Sequence, residues 1–117
     1  MTQMSITPDG IIVVTLQGEL GNHEANRIRT QISSEIFSGT AHAIIWDLTH
    51  LSFMDSSGIG LVLGRMRDLA PQQGETLILN PSPTMEKIFQ FSGLGDVLRR
   101  GTVENAIGEI GGVLHEQ

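Results

Sequence analysis

Three short runs of apolar residues constrain the fold of this chain more than any other feature. They cover residues 11–16, 43–46 and 76–79 and read IIVVTL, AIIW and TLIL. None alternates strictly between apolar and polar positions, as the strands of a half-exposed sheet do. Runs of this kind are typical of parallel strands that are covered by helices, so they predict a buried sheet.

Apolar residues at helical spacing lie between and after these runs. The spacing predicts helices over residues 24–37, 59–69, 85–92 and 103–114. Ser82 is a candidate N-cap for the third helix, and Pro83 suits its first helical position. The apolar positions of the other three helices are Ala25, Ile28, Ile32 and Ile36, then Ile59, Val62, Leu63, Met66 and Leu69, then Val103, Ala106, Ile107, Ile110 and Leu114.

The remaining segments complete an alternating order of strands and helices. Residues 4–7 are a candidate hairpin partner for the first run, residues 47–50 a connecting turn, and residues 97–98 the start of a last short strand. This order predicts an α/β fold, with a central, mostly parallel but mixed sheet of four to five strands and about four helices. At 117 residues, we expect one domain over residues 1–117.

Composition excludes several classes of protein. No apolar run approaches the roughly 18 residues of a membrane span, and the first residues do not resemble a signal peptide, so we expect a cytoplasmic protein. The chain has no Cys, which excludes a disulfide framework, a thiol nucleophile and Cys-ligated metals. The net charge of −6 and the 4% of aromatic residues disfavour nucleic acid as a partner. We expect a protein or small-molecule partner, and a monomer in the absence of that partner.

The most informative segment runs from residue 53 to residue 60 and reads FMDSSGIG. Asp55 and Ser56 stand where the N-cap of the second helix belongs, and a capping role alone would explain them. The same position also favours a phosphate on Ser56, because a helix N-terminus presents free amides and a positive dipole end. Gly58, Gly60 and Gly64 indicate close packing on the sheet or close approach by a partner backbone.

The other chemical interpretations have weaker support. The glycine spacing is one residue longer than the dinucleotide fingerprint, and the residues around Ser56 do not form the G-x-S-x-G elbow of a hydrolase. Asp47 and Asp55 stand at ordinary positions for Asp, so acid–base catalysis is weakly supported. The four histidines, His23, His42, His50 and His115, have no metal-ligand spacing. We therefore expect no enzyme activity, no metal and no cofactor.

The chain resembles a STAS domain, and specifically the anti-sigma factor antagonists of the SpoIIAA and RsbV type from endospore-forming bacteria. The resemblance spans nearly the whole length. It rests on GEL at residues 18–20, LSFMDSSGIG at residues 51–60, and the segment from Ser82-Pro83 to FSGL at residues 91–94. The amino-acid sequence of the middle motif is similar to that of the sporulation, SpoIIAA-like branch of the family.

The resemblance implies a regulatory protein. In the family, the unphosphorylated antagonist binds an anti-sigma factor that is also a serine kinase (SpoIIAB-like), and thereby releases a sporulation sigma factor of the sigma F type. The kinase then phosphorylates the antagonist on the Ser after the motif Asp, here Ser56, and a PP2C-type serine phosphatase (SpoIIE-like) removes the phosphate. The resemblance places Asp55 on the kinase-facing surface and gives Ser57 as the serine most easily confused with the acceptor.

One loop departs from the family pattern. Relatives often carry an acidic residue and a His pair after GEL, whereas this chain has Gly21-Asn22-His23. The resemblance places this loop near the partner, so Asn22 and His23 join Asp55, Ser56, Ser57, Gly58 and Gly60 as candidate contacts. Ser82 and Thr84 are further candidates, although capping and packing would also explain them. The alternative function is a STAS scaffold or small-ligand-binding module.

Overall fold

A computed structural model of the chain describes the backbone of residues 2–115 and the side chains of residues 2–111, so the side chains of Leu114 and His115 lie outside it. The strands are β1 (Thr2–Ile6), β2 (Ile11–Leu20), β3 (Ala43–Met54), β4 (Glu75–Leu79) and β5 (Leu98–Arg99). The helices are α1 (Asn22–Phe37), α2 (Ser56–Leu69), α3 (Pro83–Phe91) and α4 (Val103–His115). Short 3₁₀ turns follow α2 (Ala70–Gln72) and precede β5 (Gly95–Val97).

The strands form one sheet in the order β1-β2-β3-β4-β5. β1 pairs antiparallel with β2, and every later neighbour is parallel. Because parallel neighbours are joined by right-handed crossovers, helices that link adjacent strands in sequence lie on one face of the sheet. The packing agrees: α1, α2 and α3 share one core cluster, and α4 packs in a second cluster on the other face. The prediction of a mixed, mostly parallel sheet is confirmed.

The middle of β3 is buried on both faces. Ala43, Ile44, Ile45 and Trp46 are each 0% exposed, and they alternate between the two clusters. Trp46, the single Trp of the chain, lies in the larger cluster beneath α1, α2 and α3. Residues 43–46 therefore lack polar alternation because helices cover both faces of the strand, as the sequence predicted.

The predicted turn at residues 47–50 is wrong, because β3 continues for seven residues beyond Asp47. β4 stops pairing at this point, where Leu79 lies opposite Asp47, and β3 pairs onward with β2 alone. The register between β2 and β3 shifts twice along this stretch. As a result, Thr15–Leu20 of β2 pairs with Asp47–Met54 of β3, and the β3 segment is two residues longer than the β2 segment. Each extra residue is a bulge, and the bulges break the strand period that would have identified the extension.

The polar residues of the supposed turn have structural roles in this extension. Asp47 accepts hydrogen bonds from the amide and the hydroxyl of Thr49, at 3.1 Å and 2.6 Å. The Asn80 side chain donates to Thr49 Oγ1 and to the Gly101 carbonyl, both at 2.8 Å. Asn80 itself has a φ of 56°, a left-handed conformation that Asn tolerates better than most residues. These bonds join the end of β4 to β3 and to the chain before α4.

The three glycines of α2 differ in their surroundings, and the prediction of close packing holds for one of them. A Cβ at Gly58 would lie 2.9 Å from Cγ and 3.0 Å from Cβ of the buried Met54. A Cβ at Gly60 or Gly64 would meet no atom within 4 Å, so the packing expectation is wrong there. Of the three glycines of α2, only Gly58 is required by the packing, because Met54 at the end of β3 lies directly against it.

We expect Gly58→Ala to lower the free energy of unfolding by about 1–3 kcal/mol, because the new methyl group overpacks against Met54. The matched control is Gly64→Ala, which places the same methyl group in open space in the same helix and should raise stability by up to about 1 kcal/mol. Urea denaturation followed by circular dichroism measures both. Equal effects of the two substitutions would contradict the packing argument.

Candidate functional site

The N-terminus of α2 follows directly on the end of β3. Asp55 is the N-cap residue, and its side chain accepts a hydrogen bond from the Ser57 amide at 2.9 Å. The Gly58 amide donates to the Asp55 carbonyl at 3.0 Å. Two amides of the first turn, which a helix leaves without internal partners, are thereby bonded to Asp55. The predicted cap is confirmed, with Asp55 as the capping residue and Ser56 as the first helical residue.

The two adjacent serines differ in their hydrogen bonding. The Ser57 hydroxyl donates to Asp55 Oδ1, the same oxygen that accepts from the Ser57 amide. Within the described part of the chain, no hydrogen bond reaches the Ser56 hydroxyl, and the Ser56 side chain is exposed. Ser56 is therefore the serine whose hydroxyl is free to react with another molecule.

The electrostatics at this helix start favour a charged carboxylate. The Ser57 hydroxyl bond, followed by the Ser57 amide bond, lowers the pKa of Asp55 below its ordinary value, since both bonds stabilise the ionised form. Asp55 is fully exposed, so these local bonds rather than burial determine the direction. The site thus holds a negative charge next to the free hydroxyl of Ser56 at neutral pH.

An apolar groove of about 610 Å³ opens beside Ser56. One side is formed by the end of β3 and the start of α2, and the other by α3. Among the described residues that line the groove, Asp55 carries the only charge. The groove-lining residues are Phe53, Met54, Asp55, Ser56, Ile59, Gly60, Leu63, Ile88 and Ser92.

The α3 side of the groove was missed by the sequence analysis. Ile88 and Ser92 line it, and Ile88 is 38% exposed although it is a large apolar residue. Phe91, on the same helix, is 92% exposed, and Phe53, across the groove from α3, is 55% exposed. Exposed aromatic and aliphatic side chains around one groove indicate a surface that binds a partner. The signal in the sequence was the apolar pair Ile88 and Phe91, which the helix does not bury.

The loop after β2 begins close to the helix start of α2. In the sheet, Leu20 lies opposite Met54, so β2 and β3 both stop at the same end of the sheet, where their carboxyl ends lie. Asn22 and His23 begin α1 there and are exposed, but neither lines the groove. They lie at the same end of the sheet as Asp55 and Ser56, in the neighbouring connection.

Ser82 and Thr84 have a different position. Ser82 caps α3, and its hydroxyl accepts a hydrogen bond from the Met85 amide at 3.2 Å. Thr84 is exposed in the first turn of that helix, and neither residue lines the groove. The structure therefore brings Asp55, Ser56 and Gly60 together with the C-terminal half of α3 and leaves Ser82 and Thr84 outside.

The described residues contain neither a helix that could span a membrane nor a cluster that could bind a metal. Within residues 2–115, no helix combines the length and the apolar composition that crossing a bilayer requires. Within the side chains described, no three His, Asp or Glu residues are grouped so that they could hold a metal ion.

Comparison with protein families identifies the fold. The model of the STAS domain matches residues 3–110. The chain belongs to the STAS domain family. The resemblance inferred from the motifs at residues 18–20 and 51–60 is confirmed, and the five-stranded sheet with four helices is the STAS architecture.

Two relatives of this STAS domain are described as anti-sigma F factor antagonists. The chain is 51% identical over 113 residues, 97% of each protein, to an anti-sigma F factor antagonist of Lysinibacillus sphaericus. It is 33% identical over 89 residues, 76% of each, to an anti-sigma F factor antagonist of Paenibacillus polymyxa. The prediction of an antagonist of the sporulation type agrees with both relatives.

Two solved structures of the antagonist SpoIIAA match this STAS domain along nearly its whole length. The unphosphorylated form superposes with a TM-score of 0.91 at 49% identity, covering 96% of this chain and 97% of that one. The phosphorylated form of the Bacillus protein superposes with a TM-score of 0.87 at 50% identity, covering 94% and 99%. Both forms of SpoIIAA therefore share the backbone described above.

The capping bonds of Asp55 predict a pH dependence of stability. Because the pKa of Asp55 is lowered on folding, its charged form stabilises the folded state at neutral pH, and this contribution is lost as the pH falls through the lowered pKa. We expect Ser57→Ala, which removes the hydroxyl donor, to show a shallower fall in unfolding free energy between about pH 5 and pH 2. Ser56→Ala is the matched control, and urea titrations at successive pH values compare the two. Identical slopes in both variants would show that the Ser57 hydroxyl does not act on Asp55.

Proposed function

We propose that this STAS domain is an anti-sigma F factor antagonist that is switched by phosphorylation of Ser56. In this proposal the unphosphorylated form binds an anti-sigma factor serine kinase of the SpoIIAB kind and releases a sigma factor of the sigma F type. The support is the 51% identity to such an antagonist, together with an exposed acceptor serine beside an apolar groove. The chain acts by binding and carries no catalytic residue of its own.

The observation that carries the proposal is the free hydroxyl of Ser56 at the first position of α2. Its neighbour Ser57 has its hydroxyl bonded to Asp55, so the two serines are not equivalent acceptors. A kinase that docks on the groove between α2 and α3 would meet the Ser56 side chain at the edge of its footprint. Exposure, a free hydroxyl and an adjacent docking surface are the properties that a phosphorylation site requires.

The phosphate would act through charge. A phosphoserine adds about −1.5 to −2 charges and three acceptor oxygens. Among the described groove residues the existing charge, that of Asp55, is also negative, so no cation of this chain's groove compensates the phosphate. An interface that excludes water cannot solvate it either, and a cost on the order of 3 kcal/mol would weaken binding about a hundredfold.

This switch needs no refolding. The unphosphorylated and phosphorylated structures of SpoIIAA both superpose on this backbone, with TM-scores of 0.91 and 0.87. We therefore propose an electrostatic and steric switch in which the fold stays in place and the partner is repelled. A PP2C-type serine phosphatase of the SpoIIE kind would restore the binding form, and the free protein would be a cytoplasmic monomer.

The remaining partner contacts follow from position. We propose that Asp55, Ser56, Ser57 and Gly60 face the partner, with Asn22 and His23 in the neighbouring connection at the same end of the sheet. The remaining candidate, Gly58, is buried against Met54 and is not proposed as a contact. Asn22 and His23 stand where the resemblance implies acidic and His residues, so they would tune affinity. Ser82 and Thr84 would contact only a partner that extends along α3 toward its N-terminus.

The deciding experiment is intact-mass analysis after incubation with the anti-sigma factor kinase from the same cell and ATP. We expect one phosphate on the wild-type chain and on Ser57→Ala, and none on Ser56→Ala. The unlabelled Ser56→Ala should still bind the kinase, and Ser56→Asp should bind it about a hundredfold more weakly, if the repulsion costs about 3 kcal/mol.

Two outcomes would contradict the proposal in different ways. Labelling that disappears in Ser57→Ala instead would move the acceptor by one residue and leave the antagonist function intact. No phosphate on any form would favour a STAS scaffold or small-ligand-binding module, and Ser56 would then be only the first residue of a capped helix.

The α3 side of the groove gives a second prediction. Ile88→Asp places a charge on an exposed apolar residue of the groove and should weaken kinase binding at least tenfold, about 1.4 kcal/mol. The matched control is Phe37→Asp, at an apolar residue that is 72% exposed at the end of α1 and does not line the groove. Calorimetric titration measures both affinities. An equal loss in the two variants, or none in Ile88→Asp, would remove α3 from the binding surface.

A further inference from the structure

We infer that Asp55 determines which of the two adjacent serines accepts phosphate, by holding the Ser57 hydroxyl out of the reaction. The inference rests on the proposed function, since it needs a kinase that acts on this segment. It assigns to Asp55 a selectivity role that is distinct from its capping of α2 and from contact with a partner. Asp55 is in this sense a positioning residue, because it acts through Ser57.

The geometry separates the two hydroxyls. One carboxylate oxygen, Asp55 Oδ1, accepts from both the hydroxyl and the amide of Ser57. The Ser57 side chain is thereby folded back onto the cap, and its hydroxyl bond to Asp55 must break before the hydroxyl oxygen can turn toward a kinase. Ser56 lies between Asp55 and Ser57 in the sequence and has no such contact among the described residues.

The chemistry of transfer adds a second barrier at Ser57. In the reaction the serine Oγ forms a bond to the γ-phosphorus of ATP, the bond from that phosphorus to the bridging oxygen breaks, and ADP leaves with the electron pair. The hydroxyl proton passes to a base of the kinase or to water. The transferred group carries negative charge on its three outer oxygens. If the Ser57 hydroxyl reacted in its present position, that group would form within hydrogen-bonding reach of the Asp55 carboxylate, and like charges at such distances repel.

Asp55 is also poorly suited to activate Ser57 as a base. The hydrogen bonds from Ser57 lower the pKa of Asp55, and a carboxylate with a lowered pKa is a weak proton acceptor. The contact between the two side chains therefore gives Ser57 little help in losing its proton. In the sequence alone the two serines are neighbours of the same type, and nothing in their order gives this difference.

The test compares Asp55→Ala with Asp55→Asn in the full chain. Alanine removes both acceptor oxygens, whereas asparagine keeps an oxygen at the Oδ1 position that can still accept from Ser57. After labelling with the anti-sigma factor kinase and ATP, fragment mass spectrometry measures the share of phosphate on each serine. We expect no detectable phosphate on Ser57 in the wild-type chain. In Asp55→Ala the signal from Ser57 should exceed the detection limit at least tenfold, and in Asp55→Asn it should be smaller.

A matched control accounts for the loss of a helix cap. Thr102→Ala removes the hydroxyl that accepts from the Asn105 amide at 3.1 Å at the start of α4, on the opposite face of the sheet. It should leave the distribution between the serines as in the wild-type chain. A shift in this control equal to that of Asp55→Ala would overturn the inference, because general destabilisation would then explain both.

The remaining outcomes are also decisive. Phosphate confined to Ser56 in Asp55→Ala, equal Ser57 shares in the alanine and asparagine variants, or loss of label from both serines in Asp55→Ala would each overturn the selectivity role. All three leave the proposed function standing, provided that the wild-type chain is labelled on Ser56. An unlabelled wild-type chain overturns the proposed function instead, and the selectivity role with it.

Discussion

The burial of β3 on both faces is the constraint on which the rest of the structure depends. Four consecutive residues from Ala43 to Trp46 are fully enclosed, and alternate side chains face opposite layers. One layer of helices could cover only one of those faces. The chain therefore needs α1, α2 and α3 on one side and α4 on the other, and its 117 residues are divided accordingly. The functional surface is built from what this arrangement leaves exposed.

The position of the site follows from the unequal lengths of the strands. β3 extends beyond its pairing with β4 and carries two extra residues relative to β2. As a result, the end of β3 and the start of α2 project past the neighbouring strand β4, and α3 lies beside them across an open groove. Met54 fixes the direction in which α2 leaves, since it packs against the position where Gly58 has no side chain. A free serine hydroxyl is presented at the rim of that groove.

Much of this could be predicted from residue patterns, and the failures have physical causes. Buried strands and amphipathic helices leave a periodic signal, so the sheet, the four helices and both caps, Asp55 and Ser82, were found. The extension of β3 was mistaken for a turn, because two bulges erase the period of a strand and because Asp47 and Thr49 are common in turns. For Gly60 and Gly64 the sequence left close packing and close approach by a partner backbone as alternatives, because only the folded structure distinguishes a crowded glycine from an open one.

The single Trp of the chain has a practical consequence. Trp46 is enclosed in the larger core cluster, its indole N–H has no hydrogen-bond partner among the described residues, and the chain has no Tyr. Because Trp46 is 0% exposed, a docked partner cannot touch the indole, and a change in its emission would report a rearrangement of the core. An extrinsic dye near the start of α2 would instead report association itself in real time.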